Sequence, residues 1–110
     1  MGKFSYEDSV RVEFDDRALA HLQVVIGTKL RRDEAFFFSW RDELSNGGGR
    51  TSVWIHSHAG LVFRFHGSRT PRLNRTWLDA LMYAANSPGG LQLVPEPAEV
   101  GATEASVEEG

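Results

Sequence analysis

Residues 44–78 read LSNGGGRTSVWIHSHAGLVFRFHGSRTPRLNRTWL and decide the fold, because they hold two strand-like runs and the start of a helix. In Thr51–His56 and again in Leu61–His66, apolar and polar residues alternate with the period of two that is typical of a strand. The short segment Ser57–Gly60 separates the two runs, so the stretch predicts a β-hairpin. A loop then leads to a helix for which Asn74 is a suitable N-cap.

The flanking sequence adds further strands and one more helix. The same alternation and the helical spacing of apolar residues predict these elements. They are strands at Lys3–Tyr6, Ser9–Phe14 and Glu34–Arg41, a helix over residues 17–32 that Asp15 or Asp16 caps, a second helix from residue 75 to about 85, and an optional last strand at Leu91–Val94. The order ββαβββα indicates an α+β domain, a two-layer sandwich with a mostly antiparallel sheet and two helices on one face.

Length and composition define the class of protein. The 110 residues suit one domain, and 41% of them are hydrophobic, which is enough for a core. We expect a single globular domain over residues 1–94 and a flexible acidic tail over residues 95–110. The sequence has no cysteine, no apolar leader-like segment and no apolar run of about 18 residues, so we expect a cytoplasmic protein without a membrane segment.

The net charge of −3 conceals an uneven distribution. Residues 44–78 carry five arginines and no acid, whereas residues 79–110 carry six acids and no base. Five of those acids are glutamates that follow Val94. We expect this acidic tail to fold back on the basic stretch and to compete there with other anions.

The first candidate site is an anion site at the start of the second helix. Arg69, Arg72 and Arg75 lie within seven residues, next to the first backbone amides of that helix. Guanidinium groups beside a helix N-terminus can bind phosphate. The alternative, which the pattern favours slightly, is that these arginines are solvated loop residues.

The second candidate site is the sheet face turned away from the helices. Its composition depends on the hairpin register, which the sequence leaves open. In the register that Gly60 favours, the face shows Phe37, Ser39, Trp54, His56, Val62, Arg64 and His66. Exposed aromatic residues of this kind can form a protein interface through Phe37, Trp54, Val62 and His66. Alternatively, Trp54 with Arg64, Arg69, Arg72 and Arg75 can bind single-stranded nucleic acid or a phosphate ligand.

Two other constellations resemble chemical sites but have simpler interpretations. His56, His58 and His66 lack a neighbouring acid or cysteine, so the sequence predicts no metal site. Asp15 and Asp16 suit helix capping, and His21 falls on the polar side of the first helix, so no catalytic residue is predicted. We also predict no cofactor.

Most of the chain, from Met1 to about Glu96, resembles a family of short actinobacterial proteins of unknown function. The resemblance lies in five segments: MGKFSY, DDRALAHLQVVIGTKLRR, FFFSW, GRTSVWIH and LNRTWLDALMYAANSPGGLQLVPEP. Members of that family are often labelled ATP-dependent DNA ligase, which implies a link to DNA repair. Neither Lys3 nor Lys29 lies in the Lys-x-Asp-Gly motif that such a ligase uses to carry the adenylate.

The sequence therefore predicts a non-enzymatic binding module. Its most favoured partner is another protein chain or a second copy of itself, bound through the aromatic sheet face. The alternative is a nucleic acid or a phosphate ligand, bound through the basic loop and the helix N-terminus.

Overall fold

The computed structural model describes residues 1–42 and 47–99, which form six strands and two helices. The elements are β1 (Gly2–Tyr6), β2 (Val10–Phe14), α1 (Asp16–Arg31), β3 (Phe36–Arg41), β4 (Arg50–Ile55), β5 (Leu61–Arg64), α2 (Arg75–Ala85) and β6 (Leu91–Gln92). This order confirms the predicted succession of elements, the α+β class and the short last strand.

The strands form two three-stranded sheets, whereas the sequence predicted one sheet. One sheet has the order β2–β1–β5 and is antiparallel throughout. The other has the order β4–β3–β6, in which β4 is antiparallel and β6 is parallel to β3. The mostly antiparallel character is thus confirmed, and the single sheet is corrected to two.

The predicted hairpin between β4 and β5 is wrong, because the chain changes sheets at the intervening turn. The amide of Glu7 donates to the carbonyl of Gly60 at 2.8 Å, and the amide of Gly60 donates to the Glu7 carboxylate at 3.1 Å. These bonds hold the start of β5 beside the β1–β2 turn, so that β5 pairs with β1 and not with β4. Neither of the two hairpin registers considered for β4 and β5 therefore occurs.

Aromatic side chains from both sheets form the centre of the core. Phe4 from β1 and Phe38 from β3 are fully buried, and their ring centroids are 5.4 Å apart in an edge-to-face arrangement. Phe63 contacts Phe4 from the neighbouring strand, and Trp40 contacts Phe38 from the same strand. Because such contacts add to the burial of apolar area, they join the two sheets into one core.

The two helices pack on each other and on the sheets. Helix α1 contacts β1 and β2, and helix α2 contacts β3 and β6. Asp15 caps α1 by accepting a hydrogen bond from the amide of Ala18, and Asn74 caps α2 by accepting one from the amide of Trp77, as the sequence predicted. Within the described part of the chain, neither helix combines the length and the apolar character needed to cross a membrane.

A glycine turn allows β6 to approach β3 closely. Gly90 has a φ of 84°, and a Cβ atom there would lie 2.5 Å from the carbonyl oxygen of Phe37. Only glycine adopts this conformation without steric cost while leaving room for the neighbouring strand. The Pro88–Gly90 segment therefore both ends the helical region and places β6 at the edge of β3.

Part of the predicted tail lies against the domain. Of residues 95–110, the structure describes residues 95–99, and among them Glu96 and Pro97 accept hydrogen bonds from the Asn74 side chain. Glu99 forms an ion pair with Arg72 at 3.5 Å. Residues 100–110 lie outside the described residues, so the flexible tail stays a prediction there.

The alternation along β3 predicts unequal effects for two neighbouring phenylalanines. Phe38→Ala should lower the unfolding free energy by about 3–5 kcal/mol, because its side chain is fully buried. Phe37→Ala should cost less than about 1.5 kcal/mol, because this ring is 46% exposed and loses chiefly its contact with Trp54. Urea denaturation of both variants would measure this difference, and equal losses would contradict the assigned faces.

Candidate functional site

The outward side of the β4–β3–β6 sheet carries the aromatic residues that the sequence singled out. Along β3, Phe36, Phe38 and Trp40 point into the core, so the residues between them point away from it. We call this outward side the outer face, and its residues are Phe37, Ser39, Arg41, Arg50, Ser52, Trp54 and Gln92. None of these seven residues is acidic.

At one end of the outer face, two aromatic rings lie side by side in solvent. Phe37 and Trp54 are directly opposite each other on β3 and β4. Their ring centroids are 4.9 Å apart at an interplanar angle of 65°, and the side chains are 46% and 47% exposed. The edge-to-face contact orients the two rings and leaves about half of each available to a ligand.

At the other end, two arginines are directly opposite each other. Arg41 and Arg50 form a cross-strand pair, and both are exposed. Like charges at directly opposite positions destabilise a sheet. Among residues 1–42 and 47–99, no carboxylate forms an ion pair with either guanidinium group. Within the described residues, this pair therefore has no carboxylate counterion.

The middle of the outer face is polar and closely packed. Ser39 and Ser52 are opposite each other, and their hydroxyl oxygens are 2.6 Å apart in a hydrogen bond. Gln92 of β6 flanks Ser39 on the other side. Small and neutral side chains thus separate the ring pair from the arginine pair, and Ser39 among them is buried, at 4% exposure.

The two-sheet architecture divides the sheet face that the sequence predicted. Phe37, Ser39 and Trp54 lie together on the outer face. Val62 and Arg64 lie on the outward side of β5 in the other sheet, opposite Ser5 and Lys3 of β1. The predicted combination of Trp54 with Arg64 in one surface therefore does not occur within a single sheet.

The histidines of the predicted face lie elsewhere too. His66 follows β5, and its backbone amide donates to the carboxylate of Asp16 at 3.0 Å. His56 follows β4 and is half-buried, and its Nδ1 accepts from the amide of His58 at 3.3 Å. The rings of His56 and His58 have centroids 6.4 Å apart. Across the described ranges, no group of three or more potential ligands could hold a metal ion.

The basic loop before α2 is held by carboxylates of the same chain. The Asp16 carboxylate accepts from the amides of Gly67 at 2.7 Å and His66 at 3.0 Å. These two hydrogen bonds lower the pKa of Asp16, and the bond from Gly67 has the larger effect. Arg72 pairs with Glu99, which supports the expected fold-back of the acidic segment at this one position. Arg69 and Arg75 remain exposed.

The N-terminus of α2 is occupied by a polar cluster of the protein itself. Asn74 is buried and donates through its side-chain amide to Glu96 and to the carbonyl of Pro97, both at 2.9 Å. Arg17 binds the Glu96 carboxylate through two nitrogens, at 2.8 and 2.5 Å. The Arg17 hydrogen bond, supported by that of Asn74, lowers the pKa of Glu96 to about 2. The carboxylate of Glu96 is thus held beside the cap residue of α2 by groups of the chain itself.

His21 belongs to this cluster and is fully buried, although the sequence placed it on the polar side of α1. Its Nδ1 donates to the carbonyl of Arg17 and its Nε2 accepts from the amide of Asn74, both at 2.7 Å. This pair of partners defines a neutral ring with its proton on Nδ1. Because the N-terminus of α2 covers this part of α1, the ring is a structural bridge that packs on Trp77.

A family model for a domain of unknown function, DUF7882, matches residues 1–96. The chain belongs to this family. The matched range ends at the same residue as the resemblance recognised in the sequence. No curated protein and no solved structure matches the chain.

In the DUF7882 domain, a further cavity of about 610 Å³ lies beside the polar cluster. Its charged groups are already engaged by the protein, because Arg17 is paired with Glu96 and Asp15 caps α1. Its remaining wall is formed by apolar residues that include Trp77, Leu93 and Pro95. The charges around this cavity therefore hold the C-terminal segment in place.

The sequence reasoning missed two functional candidates of the DUF7882 domain, Arg41 and Arg50. Alternation along β3 by itself puts Arg41 on the same side as Phe37 and Ser39. The partner strand was the missing information, because only the β3–β4 register brings Arg50 opposite Arg41 and Trp54 opposite Phe37. The sequence of β3 therefore indicates the face of Arg41, but the pairing with Arg50 requires knowledge of the neighbouring strand, β4.

The lowered pKa of Glu96 predicts a defined pH dependence in the DUF7882 domain. Wild type should be more stable than Glu96→Gln above pH 4.5, where this carboxylate is ionised in both the folded and the unfolded chain. The advantage should shrink as the pH falls from 4.5 to about 2, because the unfolded chain takes up the proton first.

Urea denaturation between pH 7 and pH 2 would measure this stability difference. In an Arg17→Gln background, the same substitution at Glu96 should give a smaller pH-dependent difference, since the main partner of the carboxylate is gone. A wild-type advantage that is constant over the whole pH range would contradict the prediction.

Proposed function

We propose that this protein is a non-enzymatic binding module that holds single-stranded nucleic acid on its outer face. The observation that carries the proposal is one surface that combines the exposed rings of Phe37 and Trp54 with two guanidinium groups. These groups belong to Arg41 and Arg50, which form no ion pair with another described residue. Aromatic rings stack on bases, and guanidinium groups bind phosphates.

The spacing of the two pairs suits a short stretch of one strand. Phe37 and Arg41 are four residues apart on β3, which corresponds to roughly 13 Å at about 3.3 Å per residue. A strand that stacks bases on the rings could therefore reach the arginines with its backbone. Between the rings and the arginines lie the small side chains of Ser39 and Ser52, which are hydrogen-bonded to each other.

The charge distribution of the described residues supports an anionic ligand. All 12 Lys and Arg residues lie within residues 1–42 and 47–99. Four of the 15 acids lie outside those ranges, namely Glu43, Glu104, Glu108 and Glu109. The negative net charge of the chain therefore comes from residues beyond the described part, so the described domain itself is not acidic.

Four other arginines predicted for nucleic-acid binding contribute less to the proposed site. They are Arg64 on β5 and Arg69, Arg72 and Arg75 in the basic loop. The loop amides and Arg72 already have carboxylate partners in the chain. Arg64 lies on the other sheet, away from the rings. Arg69 and Arg75 are exposed and can add electrostatic attraction without defining where the strand lies.

The cytoplasm is the proposed location, in keeping with a chain that contains no cysteine. A role beside DNA-repair enzymes is also a proposal, and it rests only on the label that the family resemblance brings. The chain itself offers two lysines, Lys3 and Lys29, and neither is followed by the residues of a ligase adenylation motif. Binding without catalysis is therefore the proposed contribution to such a process.

A fluorescence titration with oligothymidine at low salt tests the proposal. Trp54 is 47% exposed, whereas Trp40 and Trp77 are 8% and 4% exposed, so a bound base should quench chiefly Trp54. Trp54→Ala should weaken binding by about 1–3 kcal/mol, because one stacking platform is lost. Arg41→Gln with Arg50→Gln should flatten the dependence of log K on log salt by about 1.4.

Tyr83→Ala is the matched control, because Tyr83 is 81% exposed on α2 and lies outside the outer face. Fluorescence anisotropy of a labelled oligonucleotide would measure the affinity of variants that lack the tryptophan signal. Absence of binding to wild type at low salt, or equal losses for Trp54→Ala and Tyr83→Ala, would refute the proposal.

The second candidate function is a protein interface, with a second copy of the chain as the simplest partner. It is favoured by the adjacent, half-exposed rings of Phe37 and Trp54. In the described part of the chain, β4 is also an edge strand of its sheet, so it could pair with a strand of another molecule. Val62 and His66, which the sequence added to this interface, lie apart from the outer face.

Solution mass measurements by analytical ultracentrifugation, with and without oligothymidine, would separate the two candidates. An interface through the rings predicts a dimer that Phe37→Ala with Trp54→Ala converts to a monomer. Val62→Ser should leave the mass unchanged, because Val62 is 45% exposed on the other sheet. A monomer at high protein concentration would dismiss the homodimer. If the oligonucleotide dissociates a dimer, the oligonucleotide and the second copy of the chain compete for the same surface.

A further inference from the structure

Two adjoining cavities form a trough at the ends of the two sheets, next to the outer face. Their volumes are about 410 and 370 Å³. Phe14, Trp40 and Arg41 line both cavities, so the two lie next to each other. The second cavity also includes Ser39 and Gln92 of the outer face, which connects the trough to that surface. We call this feature the inter-sheet groove.

Cationic residues from both sheets line the inter-sheet groove. Lys3 and Arg11 belong to the β2–β1–β5 sheet, and Arg41 and Arg50 belong to the β4–β3–β6 sheet. None of these four side chains forms an ion pair with another described residue. Cations clustered around one concavity create a positive potential that attracts anionic ligands.

Two acids, Asp42 and Glu13, also border the groove and offset two of its four positive charges. Asp42 accepts a hydrogen bond from the hydroxyl of Thr51 at 2.8 Å and so is engaged within its own sheet. Glu13 lies opposite Lys3 on the neighbouring strand, farther than ion-pair distance. The groove therefore keeps an excess of positive charge over a floor formed by Phe14 and Trp40, each of which is 8% exposed.

We propose that the inter-sheet groove binds the sugar-phosphate backbone of the same single strand whose bases stack on the outer face. This inference rests on the proposed function and extends it, because it assigns a ligand longer than the outer face alone can hold. A strand that leaves the ring pair passes Ser39 and reaches Arg41 and Arg50. It then enters the groove, where Lys3 and Arg11 contact the next phosphates.

The proposal distinguishes short from long oligonucleotides. Oligothymidine of about 4 nucleotides should occupy the outer face alone, whereas oligothymidine of about 12 nucleotides should also fill the groove. Both lengths fall within the site sizes of small single-strand-binding domains. Lys3→Gln with Arg11→Gln should flatten the salt dependence of the long oligonucleotide by about 1.4. The same double variant should leave the affinity for the short oligonucleotide unchanged.

Arg31→Gln with Arg32→Gln is the matched control, since it removes two exposed charges at the far end of α1. Circular dichroism would verify folding, and Arg11→Glu alone provides a second variant if the double variant is unstable. Equal salt dependence of wild type and the Lys3 and Arg11 variants with the long oligonucleotide would overturn the inference. The proposed function would still stand if Trp54→Ala weakened binding of both lengths, whereas no binding of either length to wild type would refute both.

Discussion

The contact between Phe4 and Phe38 is the interaction on which the rest of the structure depends. Each residue lies in the middle strand of its sheet, and both rings are fully buried against one another. Because side chains alternate along a strand, this contact places Phe37 and Arg41 on the opposite side of β3, and Lys3 on the opposite side of β1. The exposed surfaces are thus a geometric consequence of which residues fill the core.

A second set of contacts fixes how the helices and the C-terminal segment join this core. His21 bridges the two helices, Asn74 caps α2, and Glu96 brings the chain back to Arg17. Burial of such polar groups is tolerated because each of them has a hydrogen-bond partner. The cluster combines a histidine, a carboxylate and an arginine, yet each group has a structural partner, and this distinguishes it from a site that awaits a substrate.

The charged residues of the domain accordingly fall into two kinds. Asp16, Arg17 and Glu96 are engaged within the chain, and they hold the loop, the helices and the C-terminal segment. Arg41 and Arg50 share one strand pair without a carboxylate partner among the described residues. An anionic ligand gains more binding free energy from cations that have no carboxylate partner. Arg41 and Arg50 therefore define the surface on which binding is proposed.

The sequence by itself determined the elements and much of their sidedness. Alternation and helical spacing are local properties, and they identified the α+β class, the Asn74 cap and the side of β3 that carries Phe37. Tertiary structure alone decided that the strands form two sheets, that His21 is buried, and that Arg50 lies opposite Arg41. These facts depend on which distant segments meet, as when Gly60 bonds to Glu7 and directs β5 to β1. Strand pairing of this kind leaves no periodic trace in the strands themselves, because the same alternation suits either partner.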